Sequence, residues 1–264
     1  MNVFMFHFGR SGSTALAGAI SKIPDFFWHG EIFSHGTVVF EGFDALPISR
    51  KDKNGGGLFN CDEFIEFIDV AKHGIEQQMG HPFIRYGCEI KSYHFEYGYF
   101  SFSLENALVA LAEKFPGSRF IFLRRRNALR RILSANIARQ TGVYHVSKAV
   151  GKPNKFLIDL DNFNDADLKM KGEITAVLRN STMVEECYKE TILKHGGFEI
   201  CYEDHIEASM EPAMSILSQQ LDVECVTPET SLKRTNPFPL SETVENYEEL
   251  CQRLLDAGMD HFLI

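Results

Sequence analysis

The chain contains 264 residues, 44% of them hydrophobic, so it can bury a large core as a single domain over residues 1–264. Its formal net charge of −9 argues against non-specific binding to nucleic acid. The six cysteines form no C-x-x-C pair, and no apolar run is long enough to cross a membrane. We therefore expect a cytoplasmic protein without a disulfide framework, a zinc site or a membrane span.

Short apolar runs alternate with helical periodicity along the chain, which is typical of α/β proteins. Strands are predicted over residues 3–8, 83–91, 119–123 and 198–202. Helices are predicted over residues 13–22, 61–79, 103–115, 126–140, 173–195, 208–220 and 241–257. This order predicts a parallel sheet flanked by helices on both faces. The irregular segments 34–60 and 141–172 interrupt the alternation and are predicted to be lid loops.

The turn between the first strand and the first helix has the sequence G-R-S-G-S-T over residues 9–14. Backbone N–H groups at a helix N-terminus lack helical partners, and the helix dipole adds positive charge there, so the turn predicts an anion site. An arginine side chain and three hydroxyl groups add further donors. The predicted anion ligands are Arg10, Ser11, Gly12, Ser13 and Thr14.

A second basic segment follows the strand at 119–123 and runs into the next helix. No Asp or Glu occurs between Glu113 and Asp159, although the chain as a whole is acidic. Arg126 and Ser134 are eight residues apart and are expected to share one helix face with Arg130. Charge alone favours a solvated basic face. Arginines at a helix N-terminus oppose its dipole, however, and together with the anion-binding turn at 9–14 the segment favours a bound anion as their counter-ion. The segment contains Arg124, Arg125, Arg126, Arg130, Arg131 and Arg139.

The residue order in the first turn differs from that of nucleoside triphosphate loops. Those loops read G-x-x-x-x-G-K-[ST], whereas here Arg10 precedes Gly12 and Ser13 takes the lysine position. No predicted strand ends in an aspartate that would hold Mg²⁺. The turn therefore predicts an anion site that works without a metal.

The motifs together resemble the sulfotransferases that use 3′-phosphoadenosine 5′-phosphosulfate (PAPS). Four of them occur in the family's order: the 5′-phosphosulfate loop at 8–14, the 3′-phosphate motif at 126–134, the Y-E-D strand end at 202–204, and the C-terminal nucleotide loop at 232–237 with its following helix. Within the family, three segments are similar to the bacterial branch that acts on trehalose and other small molecules. These segments are residues 10–14, 30–33 and 140–145.

The resemblance implies a P-loop-like sheet, PAPS as cosubstrate, no metal, and transfer of a sulfuryl group to a hydroxyl or amine of a small-molecule acceptor. It implies that Arg10 and the backbone of residues 12–14 hold the 5′-phosphosulfate, with Arg10 close to the bridging oxygen. The acceptor would lie between the loops 34–60 and 141–172, and a homodimer is compatible with the bacterial branch. The implied 3′-phosphate ligands are Arg126, Ser134, Lys233 and Arg234.

Two residues compete for the role of general base. Glu31 in G-E-I-F resembles the catalytic glutamate of the bacterial branch. His94 stands three residues after Lys91, whereas the animal cytosolic branch has its histidine two residues after the lysine. The sequence favours Glu31 as base and places Lys91 near the transferring group. A Mg-ATP kinase and a non-catalytic nucleotide-binding protein remain the alternative functions.

Overall fold

The structure, a computed structural model, describes residues 1–33, 59–142, 155–224 and 238–263. Lys233 and Arg234, two of the predicted 3′-phosphate ligands, lie outside the described residues. So do residues 34–58 of the predicted lid at 34–60 and residues 143–154 of the predicted lid at 141–172.

The central sheet has five parallel strands in the order β2-β3-β1-β4-β7, and β5 and β6 form a separate antiparallel hairpin. The strands are β1 (Asn2–His7), β2 (Phe26–Glu31), β3 (Arg85–Lys91), β4 (Arg119–Arg124), β5 (Phe163–Asp165), β6 (Met170–Gly172) and β7 (Phe198–Cys201). The helices are α1 (Ser13–Ile20), α2 (Cys61–Met79), α3 (Tyr93–Glu96), α4 (Leu104–Lys114), α5 (Ala128–Thr141), α6 (Ile174–Lys194), α7 (Tyr202–His205), α8 (Glu211–Leu221), α9 (Leu240–Thr243) and α10 (Tyr247–Asp256). This architecture confirms the predicted α/β class and its P-loop-like parallel sheet.

Successive side chains of β1 point to opposite faces of the sheet, and helices cover both faces. Phe4 and Phe6 point to the face that α2, α4 and α6 cover, while Val3 and Met5 point to the face that α1 and α8 cover. All four side chains are fully buried. A strand buried on both faces reads as one continuous apolar run, which is the pattern that predicted β1.

The predicted strands are incomplete, and one predicted helix is wrong in its extent. The edge strand β2 is missing from the predicted strands because its side chains are mostly half-buried, which gives neither a continuous apolar run nor a clean alternation. The predicted helix 241–257 is interrupted, because Phe156 forms a parallel β-bridge with Val244. The backbone of Phe156 bonds to Thr243 and Glu245, so α10 begins only at Tyr247.

The predicted lid at 141–172 contains more than a loop. Its second half holds the β5–β6 hairpin, whose Phe163 packs into a third core cluster with α5, α6 and α10. A 3₁₀ turn at Ala166–Leu168 lies between the two strands. Separately, no helix within the described ranges is long and apolar enough to cross a membrane.

Candidate active site

The turn after β1 lies where the strand order reverses, between β3 on one side and β4 on the other. Ligands of open parallel sheets bind at this switch point, outside the carboxyl ends of the strands. Two residues of the turn have left-handed backbones, Arg10 with φ +66° and Gly12 with φ +91°. The turn ends at Ser13, where α1 begins, and the first N–H groups of that helix have no helical acceptor. The structure therefore has the backbone geometry of an anion cradle.

Gly12 is required for two reasons. Its positive φ disfavours any side chain, and a Cβ at this position would come within 2.7 Å of the Tyr202 ring. The ring of Tyr202, the first residue of α7, thus closes one side of the cradle.

Three hydrogen bonds fix the turn to its surroundings. Ser11 Oγ donates to the carbonyl of Phe8 at 2.8 Å, so this hydroxyl shapes the turn itself. The N–H of Gly9 donates to Asp167 at 3.0 Å. Arg10 Nε donates to Ser134 Oγ on α5 at 3.1 Å, which brings the two predicted phosphate-binding segments into contact.

Asp167, which accepts the Gly9 N–H, belongs to a largely buried ionic cluster that supports the cradle. Arg131 is fully buried and lies 2.6 Å from Asp165, 2.8 Å from Glu185 and 3.6 Å from Asp167. Arg139 approaches Asp167 at 2.7 Å. Two arginines therefore face three carboxylates, and the cluster carries one more negative charge than positive when all are ionised. Burial raises the pKa of Glu185 to about 7, against the opposing pull of Arg131 and Arg124.

We expect Glu185 to make stability fall as the pH rises. A carboxyl whose pKa is raised on folding stabilises the folded state when it is protonated. For Glu185 this contribution is complete below the ordinary pKa of 4.5 and is lost as the pH rises through about 7. At 1.36 kcal/mol per unit, the loss amounts to roughly 3 kcal/mol. Urea unfolding at pH 5 and pH 8 measures it. Glu185→Gln should abolish this part of the dependence, and an unchanged difference between the two pH values in that variant would contradict the assignment.

Much of the positive charge of the basic segment is balanced by carboxylates of the protein, although Arg126 is 55% and Arg139 38% exposed. Arg124 is buried and pairs with Glu186 and, at 3.4 Å, with Glu199. Arg126 lies outside α5 and pairs with Asp204 through two bonds of 3.1 and 2.6 Å. Carboxylates from α6, β7 and α7 therefore supply part of the counter-charge that the sequence assigned to a bound anion. The bound anion itself stays a prediction.

Glu203 binds two backbone N–H groups just before the start of α5. Its two carboxylate oxygens accept the N–H groups of Arg126 at 2.9 Å and Asn127 at 3.0 Å. The Asn127 side chain then caps the helix by accepting from the Arg130 N–H at 3.0 Å. Because α5 begins at Ala128, only Arg130 and Ser134 lie on the helix face that was predicted to include Arg126 as well.

The predicted base and lysine meet at the carboxyl ends of β2 and β3. Glu31 lies 2.6 Å from Lys91, and the two side chains are 31% and 19% exposed. Burial lowers the pKa of Lys91, but the charges of Glu31 and Tyr93 outweigh it and raise the pKa above its ordinary value. Lys91 therefore stays protonated beside Glu31, where it can face an anionic group.

A second carboxylate, Glu89, joins this pair to the cradle. Glu89 is buried and lies 3.1 Å from His7, while Trp28 Nε1 donates to it at 3.1 Å. Ser13, the first residue of α1, also donates to Glu89. Burial raises the pKa of Glu89, but the bonds from His7, Trp28 and Ser13 outweigh burial and lower it. Glu89 is therefore an ionised carboxylate that holds the cradle against the strand carrying Glu31.

His7, Glu31 and Glu89 also have the donor types of a metal site. One atom from each lies within 4.8 Å of the others. However, Lys91 already provides a positive charge at hydrogen-bond distance from Glu31. The expectation of a site that works without a metal stays a prediction.

His94 lies in a different environment from Glu31. It is 2% exposed on α3 and packs among aromatic rings. Its ring centroid lies 4.6 Å from that of Tyr93, 5.5 Å from that of Tyr99 and 5.6 Å from that of Phe100. This packing favours a structural role, and its assignment as the alternative base stays a prediction.

Sequence reasoning missed the roles of His7, Glu89 and Asp167. The first two had a usable signal, since each is an ionisable residue within a buried strand, where such a group needs a partner. Asp167 had none, because its segment was predicted to be an irregular loop.

No family model and no curated protein sequence matches this chain. A sulfotransferase from Alicyclobacillus acidocaldarius has a solved structure that matches it with a TM-score of 0.48 and 12% sequence identity. The match covers 99% of this chain and 95% of that chain. A likeness of this extent carries no functional argument, so the function must be argued from this chain's own side chains.

Proposed function

We propose that the protein is a PAPS-dependent sulfotransferase that moves a sulfuryl group to a hydroxyl or amine of a small-molecule acceptor. The observation that carries the proposal is the position of the Glu31–Lys91 pair beside the anion cradle. Glu89 links the two, because it accepts a hydrogen bond from Ser13 of the cradle and has a carboxylate oxygen within 4.8 Å of one on Glu31. A base, a cation and an anion cradle at one sheet edge are the groups that sulfuryl transfer needs.

The reaction is an in-line displacement at sulfur. The acceptor oxygen or nitrogen bonds to sulfur while the bond between sulfur and the bridging phosphate oxygen breaks. Glu31 receives the acceptor's proton, and 3′,5′-adenosine bisphosphate (PAP) departs with the negative charge. Arg10 and the N–H groups at the start of α1 stabilise that charge, with Lys91 beside the sulfuryl group.

The donor's two phosphate groups fit the two contacting segments. The cradle would hold the 5′-phosphosulfate, and the end of β4 with Ser134 would hold the 3′-phosphate. The 3.1 Å bond between Arg10 and Ser134 makes these subsites neighbours. A 3′-phosphate at Arg126 would share that guanidinium with Asp204. Lys233 and Arg234 remain proposed ligands of the same phosphate.

A titration without metal distinguishes this function from a Mg-ATP kinase. We expect PAP in EDTA to raise the melting temperature, because a ligand that binds only the folded state stabilises it. Mg-ATP should have a smaller effect. Stabilisation by Mg-ATP alone would reject the sulfotransferase in favour of the kinase.

Arg126 provides the matching mutational prediction. A charge-assisted hydrogen bond contributes about 1.5–3 kcal/mol, so Arg126→Ala should weaken PAP binding by roughly tenfold or more. The affinity for adenosine 5′-phosphate (AMP), which lacks the 3′-phosphate, should change far less. Isothermal titration of both ligands measures the difference, and equal losses would remove Arg126 from the 3′-phosphate subsite.

A further inference from the structure

Three side chains with metal-ligand chemistry converge beside the cradle. His7 ends β1, Glu31 ends β2, and Glu89 lies near the end of β3. One ligand atom from each lies within 4.8 Å of the others. Across the described ranges of the chain, this is the one group of three histidine, cysteine or carboxylate side chains that comes so close together. Imidazole and carboxylate are typical ligands of Zn²⁺ and of similar transition-metal ions.

His7 is oriented as a metal ligand is. The residue is 1% exposed, and its Nδ1 lies 3.0 Å from the carbonyl oxygen of Phe8, which can only accept a hydrogen bond. Nδ1 therefore carries a hydrogen, and in the neutral ring Nε2 has a free lone pair. A hydrogen bond from the other ring nitrogen to a backbone carbonyl is a usual way of fixing a histidine ligand.

The surroundings of Nε2 favour a positive charge there. Nε2 is shielded from solvent and lies 3.1 Å from Oε2 of Glu89, at an angle that is poor for a hydrogen bond. Two lone pairs repel at this distance unless a proton or a metal ion lies close to both. Zinc ligands lie about 2.0–2.2 Å from the metal, so two ligand atoms about 3 Å apart can share one ion. The other oxygen of Glu89 accepts from Trp28 Nε1 at 3.1 Å, which fixes the carboxylate.

Glu31 completes the set, and Lys91 competes with a metal ion for it. Glu31 lies 2.6 Å from Lys91 and is 31% exposed, so its side chain has room to turn toward His7. When His7 is neutral, the two carboxylates carry more charge than the single lysine balances. A divalent ion held by His7, Glu31 and Glu89 would neutralise both carboxylates, and the partly exposed Lys91 could then turn to solvent.

We propose that His7, Glu31 and Glu89 form an inhibitory binding site for Zn²⁺. The ion would occupy the carboxylate that takes the acceptor's proton, so Glu31 could not act as base while the ion is bound. Sulfuryl transfer itself still needs no metal, because the ion stops the reaction and takes no part in it. The inhibitory role rests on the proposed function, whereas binding of the ion does not.

Isothermal titration with Zn²⁺ alone tests the site. We expect one ion per chain at this site, and a rise in melting temperature because the ion binds the folded state. His7→Gln should weaken binding by at least about a hundredfold, since even the loss of a ligand's hydrogen-bond partner costs roughly 10- to 100-fold. His73→Gln is the matched control, because His73 also lies beside a carboxylate, 3.3 Å from Asp69, but is 62% exposed. Its affinity for Zn²⁺ should equal that of the wild type.

Lys91→Met gives the most specific result. Removing the competing charge should tighten Zn²⁺ binding by at least about fivefold, whereas a site elsewhere would not respond. Unchanged or weaker binding in this variant would overturn the proposal. So would wild-type affinity in His7→Gln, or an intense near-ultraviolet band of bound Co²⁺, which marks thiolate ligands. If His7→Gln does not fold, Glu31→Gln decides, and an affinity equal to that of the wild type overturns the site.

Activity separates the inhibitory role from the function on which it rests. Zn²⁺ should suppress the release of PAP from PAPS, EDTA should restore it, and the affinity for PAP should stay within about threefold because the cradle is intact. A wild-type protein that binds Zn²⁺ through His7 but releases PAP at an unchanged rate overturns the inhibitory role alone. A wild-type protein that releases no PAP with sugars, phenols or amines rejects the proposed function and the inhibitory role together. The titrations of the His7 and Lys91 variants then still decide whether the metal site exists.

Discussion

Glu31→Gln should lower the rate of PAP formation from PAPS by at least about a hundredfold, because a general base contributes roughly 10²–10⁴ to the rate. The amide keeps the size of the side chain but cannot take the acceptor's proton. Glu31 pairs with Lys91 at 2.6 Å and is 31% exposed, so the change should have little effect on folding. The affinity for PAP should stay within about threefold, since the cradle is intact.

The rate is measured as PAP released from PAPS in the presence of a panel of sugars, phenols and amines. Glu66→Gln is a matched control, because Glu66 is exposed on α2. Full activity in Glu31→Gln, with activity lost in a folded His94→Gln, would transfer the role of base to His94. Activity retained in both variants would reject general-base catalysis by either residue.

Arg131→Ala should destabilise the protein by at least about 3–5 kcal/mol, the cost of leaving buried charge without its partner. Arg131 is fully buried, and its removal leaves Asp165, Asp167 and Glu185 together. It also removes a guanidinium that lies 5.5 Å from the centroid of the Phe8 ring. Because Asp167 holds the Gly9 N–H, the cradle should loosen as well.

Arg131→Met separates the loss of charge from the loss of volume. We expect most of the destabilisation to persist in this variant at pH 8 and to diminish at pH 5, where the carboxyl groups can protonate. Arg139→Met is the control, since Arg139 is 38% exposed and bonds to the same Asp167, and it should cost about 1 kcal/mol or less. Urea unfolding measures all three variants. A cost below about 1 kcal/mol for Arg131→Met at pH 8 would show that the cluster does not depend on this charge.

Local chemistry made much of the fold predictable. The run at β1, the glycine-containing turn and α1 follow from rules that act within a few residues, and α2 occupies the predicted range 61–79. The N-cap of α2 is an example, because Asn60 and Glu63 form a reciprocal capping box only three residues apart. The edge strand β2 escaped prediction because its half-buried side chains depend on β3 for their environment.

The sequence by itself determined the cradle at residues 9–14 and its position after the first strand. Only the tertiary structure decided how the charges pair. Arg126 and Asp204 are far apart along the chain, as are Arg131 and Glu185. The local sequence around these residues does not predict either pair. The same holds for Glu31 and Lys91, which meet because β2 and β3 are neighbours in the sheet. Hydrogen bonding within a turn is a local interaction, whereas ion pairing depends on which elements the packed core places side by side.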